Sequence, residues 1–192
     1  MSQCPHVRKK PIQFQPPPEE QFTEAFYQPY HAAVETAFAM LCHTRRLLFE
    51  DMGEETVRRM TFRLKAPPSI CDKLRKKHLP VTCGAAHAAL HDIAGLRVVF
   101  SNEHAVYRFA ALLCASPLAQ LISSRDYIAQ PKKSGYRSLH LLMTVRVVCR
   151  GEHMLVPIEI QLRTCAMDAW AVAEHGLFYK PQVASPASKV WK

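Results

Sequence analysis

Hydrophobic and polar residues alternate strictly from Ile158 to Arg163: Ile158, Ile160 and Leu162 fall on one side, Glu159, Gln161 and Arg163 on the other. That is the period of a strand with one apolar and one polar face. After Thr164 the period lengthens. Met167, Trp170, Ala171 or Ala173, and Leu177 recur at helical spacing, with Thr164 as the cap. Arg59 to Lys65 alternates as cleanly, with Met60, Phe62 and Leu64 opposed to Arg59, Thr61, Arg63 and Lys65. Elsewhere the pattern predicts a helix over 21–51, kinked or restarted at Pro29, and a short helix opened by Pro67-Pro68-Ser69 and ended by Lys76-Lys77. It predicts helices over 85–92 and 103–115, a buried strand over 95–100 and a strand region over 118–128. Two long strands, 136–149 and 154–163, flank the turn Arg150-Gly151-Glu152-His153. The elements follow no regular βαβ rhythm and the hairpin is antiparallel, so the fold class is α+β, a mixed sheet with helices.

A chain of 192 residues, 48% hydrophobic and 21% charged, suits one folded domain. The expected division is an extended tail over 1–18, closed by Pro16-Pro17-Pro18, a domain over 19–180 and a short tail over 181–192. The net charge of +9 points to anionic partners: nucleotides, RNA or acidic surfaces. Eight of the 25 basic residues fall between Arg58 and Lys77. Such a run is often a solvated face, but its alternation, and the free amides of a helix starting near Ser69, favour a phosphate. Seven cysteines without C-x-x-C or zinc spacing read as free thiols of a reducing cytosol. His87 and His91 have i,i+4 spacing, but no third ligand is near them in the sequence, so zinc is not expected. No apolar run follows Lys9-Lys10, and the stretch 109–122 is too short to span a bilayer, which predicts a soluble, cytoplasmic protein with no membrane partner.

Four segments in order then carry a resemblance: Arg63-Leu-Lys65-Ala-Pro-Pro-Ser69-Ile-Cys-Asp-Lys73-Leu-Arg75; Asp92-Ile-Ala-Gly-Leu-Arg97; Asp126-Tyr-Ile-Ala-Gln-Pro-Lys132-Lys-Ser-Gly-Tyr136-Arg-Ser-Leu-His140; and Glu159-Ile-Gln161-Leu-Arg163 through Asp168, Glu174 and His175 to Lys180. Together they resemble the synthetase domain of the RelA/SpoT family, the enzymes that make (p)ppGpp. The resemblance implies a mixed, roughly five-stranded sheet of the nucleotidyltransferase-like kind. It implies transfer of the pyrophosphate of ATP to the ribose 3′-hydroxyl of GDP or GTP. By matching position, Asp92 and Glu159 would be the catalytic acids and the candidate Mg²⁺ ligands, Asp92 as the metal ligand and Glu159 as a second acid that binds metal or helps deprotonate the attacking hydroxyl. Arg63 and Arg97 would sandwich adenine, which a planar guanidinium does better than an ammonium. Lys65, Ser69, Lys73 and Arg75 would hold the triphosphate. Lys132, Tyr136, His140, Gln161, Arg163, Asp168 and His175 would form the acceptor side, with Tyr136 stacked on guanine.

Each residue also has a plainer reading: Asp92 as a helix-end cap, Glu159 as a rim ion pair with Arg163, Arg97 as an edge-strand charge, Tyr136 as strand packing. Against the last, Tyr136, Ser138 and His140 would share one strand face by period two. The chain departs from the family at Ala169 and Gly176, where larger residues are usual, and only 12 residues follow Lys180. With no hydrolase or regulatory region either, it is expected to be a minimal small alarmone synthetase. Rival readings are a relative that pyrophosphorylates the tRNA 3′ end or adenosine nucleotides, and a silent basic RNA-binding module. tRNA is open as a partner but not favoured, and a homo-oligomer is open as well.

Overall fold

A computed structural model of the chain describes residues 17–178, with side chains through Glu174. A short 3-10 helix, Pro18–Gln21, precedes α1 (Glu24–Met52), β1 (Val57–Leu64), α2 (Pro67–Lys76) and α3 (Cys83–Ala89). Then come β2 (Ala94–Phe100), α4 (Glu103–Cys114), β3 (Ala119–Asp126), β4 (Leu139–Cys149), β5 (Glu152–Thr164) and α5 (Cys165–Phe178). Most of the tail expected over 1–18 and all of that over 181–192 lie outside the described residues, as does Lys180.

The strands form a five-stranded mixed sheet in the order β1-β2-β5-β4-β3. β2 and β5 run parallel and the other neighbours antiparallel. Period two then sorts the sheet into two faces. Leu96 and Val98 of β2, Ile158, Ile160 and Leu162 of β5, and Leu141, Met143 and Val145 of β4 are buried. α1 lies on this side against β2, β4 and β5, with α4 packed beside it. Its inward stripe of Tyr30, Ala33, Ala37, Leu41, Thr44 and Leu48 recurs every three or four residues. One face is thereby the core. The opposite face keeps its polar side chains.

Several boundaries differ from expectation for identifiable reasons. α1 is continuous through Pro29, whose ring removes one backbone donor near the helix start but does not interrupt the helix. The predicted helix over 85–92 ends at Ala89, leaving Asp92 in the connection to β2 rather than on a helix end. The hairpin turn is two residues, not four: Arg150 (φ 54°) and Gly151 (φ 82°) supply the paired positive angles of a type I′ turn, and Cys149 faces Glu152. Most consequentially, β4 starts at Leu139, so Tyr136 and Ser138 are not on a strand. β3, the neighbour, ends at Asp126 opposite Leu139, and just past it a backbone bond from the Tyr127 amide to the Ser138 carbonyl joins the two segments. The chain instead turns at Gly135 (φ 83°), whose amide donates to the Lys132 carbonyl.

Candidate active site

On the polar face the register aligns one side chain from every strand: Thr61, Arg97, Gln161, His140 and Arg125 stand side by side from β1 to β3. Two residues along lies a second row, Arg63, Gly95, Glu159, Leu142 and Ser123. Gly95 matters here because Arg63 lies across it: a Cβ at that position would sit 3.8 Å from the Arg63 Cγ and Nε. Arg63 therefore lies over the sheet beside Glu159.

Asp92 reaches the same place from the loop before β2. Its Oδ2 accepts from Lys73 Nζ at 2.6 Å and faces Lys65 Nζ at 3.0 Å. Its Oδ1 is buried and finds no hydrogen-bond partner among the described residues. Burial works to raise the Asp92 pKa, but the Lys73 hydrogen bond and the charges of Lys65 and Lys73 outweigh it and hold the carboxyl below its usual range. Lys65 is displaced downward, mostly by burial, with Asp92 opposing. Glu159 accepts from Gln161 Nε2 at 2.8 Å and lies 3.1 Å from His140 Nδ1, so its partners are these two and not Arg163. Burial again raises its pKa and is overcome, by His140 and then Gln161, leaving it at about 2.

Two clefts open on this face. One, of about 340 Å³, includes Arg59, Arg63, Arg97 and Gln161 in its lining. The other, of about 330 Å³, includes Lys73, Lys77, Arg125 and His140. Asp92 and Glu159 line both. Two ionised carboxylates thus form the wall shared by two cationic cavities.

Arg163, which the alternation puts on an open polar face, is 4% exposed and fully engaged. It donates to the Tyr136 hydroxyl at 2.6 Å, to Gln161 Oε1 at 2.7 Å and to Asp168 Oδ1 at 3.3 Å. Asp168 is buried too, at 3% exposure, and also receives Arg97 at 3.2 Å and Arg59. Tyr136 sits on the loop ahead of β4, its hydroxyl 2.7 Å from His140 Nε2. The Lys132 ammonium lies 4.6 Å above the rings of both Tyr136 and Tyr127. Ser138, expected on a pocket-lining strand face, is buried and donates to the Leu162 carbonyl.

The expected set is therefore brought together unevenly. Asp92, Glu159, Arg63, Lys65, Lys73 and Arg97 converge on the two clefts or their shared wall. Lys132, Tyr136, His140, Gln161, Arg163 and Asp168 form one continuous contact network beside it. Arg75 is exposed and pairs with Asp72, lining neither cleft. Ser69 is exposed on the first turn of α2, where Pro67 and Pro68 have no N–H, so that turn offers fewer free amides than a helix start normally does. The side chain of His175 lies outside the described residues. His87 stacks on and hydrogen bonds to Tyr30, away from His91, which lines a cleft. Among the described residues, no cluster of three or more His, Cys, Asp or Glu could hold a metal ion. Several participants escape the expected set. Arg59 begins the basic alternation of β1 and carries no assigned role there; Lys77 and Arg125 line a cleft without a motif to mark them, and Tyr127 offers no signal beyond its place after Asp126.

The family described as "Region found in RelA / SpoT proteins" matches residues 62–184. The chain is 34% identical over 148 residues to the GTP pyrophosphokinase YwaC of Bacillus subtilis, covering 77% of this chain and 69% of that one. It is 37% identical over 159 residues to the GTP pyrophosphokinase YjbM of the same organism, covering 82% and 73%. Among solved structures, small alarmone synthetase 1 of Bacillus subtilis bound to its product pppGpp superposes with a TM-score of 0.73 at 35% identity, over 82% of this chain and 80% of that one. The same synthetase bound to AMPCPP superposes at 0.67, with 31% identity, over 81% and 78%.

Proposed function

The chain belongs to the RelA/SpoT family, and from that premise we propose that it is a pyrophosphokinase that moves the β,γ-pyrophosphate of ATP to the 3′-hydroxyl of GDP or GTP, making (p)ppGpp and AMP. The observation that carries the reading is the wall formed by Asp92 and Glu159 between two cationic clefts. A donor in one cleft and an acceptor in the other would bring the ATP β-phosphate and the acceptor ribose 3′-hydroxyl together at that pair of carboxylates. The acceptor 3′-oxygen bonds to the β-phosphorus, the bridging α–β P–O bond breaks, and AMP leaves with that oxygen. Glu159, ionised down to about pH 2, is the base at hand for the hydroxyl proton, with His140 and Gln161 fixing its orientation. Arg63 and Arg97 line the cleft proposed for the adenine end of ATP, while Lys65 and Lys73 neutralise phosphate beside Asp92. Tyr136 serves as the stacking surface for guanine. A base on the face now under Lys132 moves that ammonium aside, toward the acceptor phosphates.

The family reading calls for Mg²⁺, and the residues fit it. Such an ion takes one or two carboxylates plus substrate phosphates, and the buried, unpartnered Oδ1 of Asp92 is a lone acceptor of the kind such a site leaves open. Asp92 and Glu159 would hold the ion. Its chemistry there is to neutralise the charge of the transferring phosphates. Placement in the cytoplasm is supported by the six described cysteines, all free, and no helix among the described residues is long and apolar enough to cross a membrane.

The test is thin-layer chromatography of products from γ-labelled ATP with GDP, GTP, GMP and tRNA in Mg²⁺. Label should move to GDP or GTP, and Asp92→Asn or Glu159→Gln should lower that transfer by at least ~10²-fold, the scale of losing one preorganised electrostatic contact. Label on the tRNA 3′ end alone, or near-wild-type turnover of either variant, overturns the assignment.

A further inference from the structure

The family resemblance groups Asp168 with the acceptor contacts, yet its partners lie on both sides of the site. One oxygen, Oδ1, receives Arg97 at 3.2 Å and Arg163 at 3.3 Å. The other receives Arg59 from β1. The carboxylate is buried beneath these three guanidiniums, and its own helix, α5, rests on β5 and β2. Arg97 lines the cleft proposed for ATP. Arg163 holds the Tyr136 hydroxyl, and its guanidinium carbon lies 5.1 Å from the centre of the Tyr136 ring. A single buried anion therefore ties the side chain meant for one purine to the pair meant for the other.

The electrostatics make this tie necessary. Three cations on one anion leave an excess of positive charge at a buried point, and Arg97 and Arg163 repel each other across it. Arg97 Nε is also buried with no partner among the described residues, so Asp168 alone supplies that guanidinium with an acceptor. α5 adds a second link. A Cβ on Gly135 would approach Trp170 Cζ2 to 3.3 Å, so the acceptor loop closes directly on the helix that carries Asp168.

Resting on the pyrophosphokinase reading, we infer that Asp168 is a positioning residue that couples the two nucleotide sites: its Oδ1 orders Arg97 and Arg163 together, so occupation of one site prepares the other. A base stacked on Arg97 holds that guanidinium against Asp168, and Asp168 in turn keeps Arg163 and Tyr136 in the orientation the acceptor meets. Coupling of this kind is reciprocal, and its usual range is about 5- to 150-fold in affinity. Asp168 touches neither nucleotide in this scheme.

Calorimetric titration of the full chain with GDP, with and without saturating AMPCPP, and the reverse pair, reads the coupling directly. In the wild type the GDP Kd should fall at least about fivefold when AMPCPP is bound, with the same ratio in the reverse titration. Asp168→Asn should bring that ratio to within about twofold of unity, weakening AMPCPP as well as GDP. Should Asp168→Asn alone melt early from its unopposed arginines, the Arg59→Gln/Asp168→Asn pair removes one excess cation and should show the same loss. An unchanged ratio in the variants, or weakened GDP binding with AMPCPP binding untouched, overturns the coupling role and makes Asp168 either a structural or a plain acceptor residue. Wild-type protein that binds neither nucleotide overturns the pyrophosphokinase reading itself.

Discussion

Tyr136 and Arg163 between them gather most of the acceptor side. The Tyr136 hydroxyl accepts from Arg163 and meets His140, and its ring carries Lys132 on one side and lies against Tyr127. Stacking of a base on an aromatic ring contributes about 1–3 kcal/mol, so Tyr136→Ala should raise the acceptor KM roughly tenfold or more while leaving the ATP KM near its original value. Tyr136→Phe separates the two functions of the residue. It keeps the ring and loses the hydroxyl contacts, so its acceptor KM should lie between those of wild type and alanine; steady-state kinetics with each substrate varied in turn decides this, and equal effects on both substrates would make Tyr136 a packing residue. At this scale the sequence was legible in identities and less so in partners. The alternation through Glu159, Gln161 and Arg163 correctly put three polar side chains on one face. It could not show that Arg163 and Asp168 are buried against each other, because that depends on how α5 folds back over β5, a tertiary fact with no local period.

Among the elements, those with a strong period and a chemical stop were readable before the fold. α4 is an example: Asn102 stands immediately ahead of the periodic run, and its side chain accepts from the Ala105 amide at 2.8 Å. Removing such a cap costs typically ~1 kcal/mol. Asn102→Ala should therefore lower the melting temperature by roughly 2–4 °C, for a domain of this size, without changing either KM, since α4 packs on α1 behind the sheet. Thermal denaturation followed by circular dichroism measures it; an unchanged melting temperature would mean that the cap contributes nothing. Other elements were less legible because a neighbour, not a local pattern, sets their limits. β4 begins at Leu139, opposite the end of β3, after the turn at Gly135. Asp92 lies beyond the end of α3, where Leu90 adopts an extended backbone, and that loop position lets it reach both Lys65 and Lys73.

For the whole molecule, the net charge of +9 suggests a polyanion, but the structure spends much of its positive charge internally. Arg59, Arg97 and Arg163 converge on Asp168, and Lys65 and Lys73 on Asp92. Away from the site, Arg45 pairs with Glu55, Arg108 with Asp51 and Arg137 with Glu103. Beyond Lys65 and Lys73, which meet phosphate beside Asp92, what remains around the clefts is a short set, chiefly Arg63, Lys77, Arg125 and Lys132. A set of that size suits nucleotide phosphates better than the backbone of an RNA. Binding that engages 6–10 backbone phosphates loses about 10³–10⁵ in affinity between ~50 and ~200 mM salt. With Mg²⁺ held constant, kcat/KM for GDP should fall by less than about tenfold over the same range, because few counterions are released. A loss of several orders of magnitude, or labelling of tRNA that outcompetes GDP at low salt and collapses at high salt, would show that the acceptor is a polyanion and that the basic surface beyond the clefts takes part in binding it.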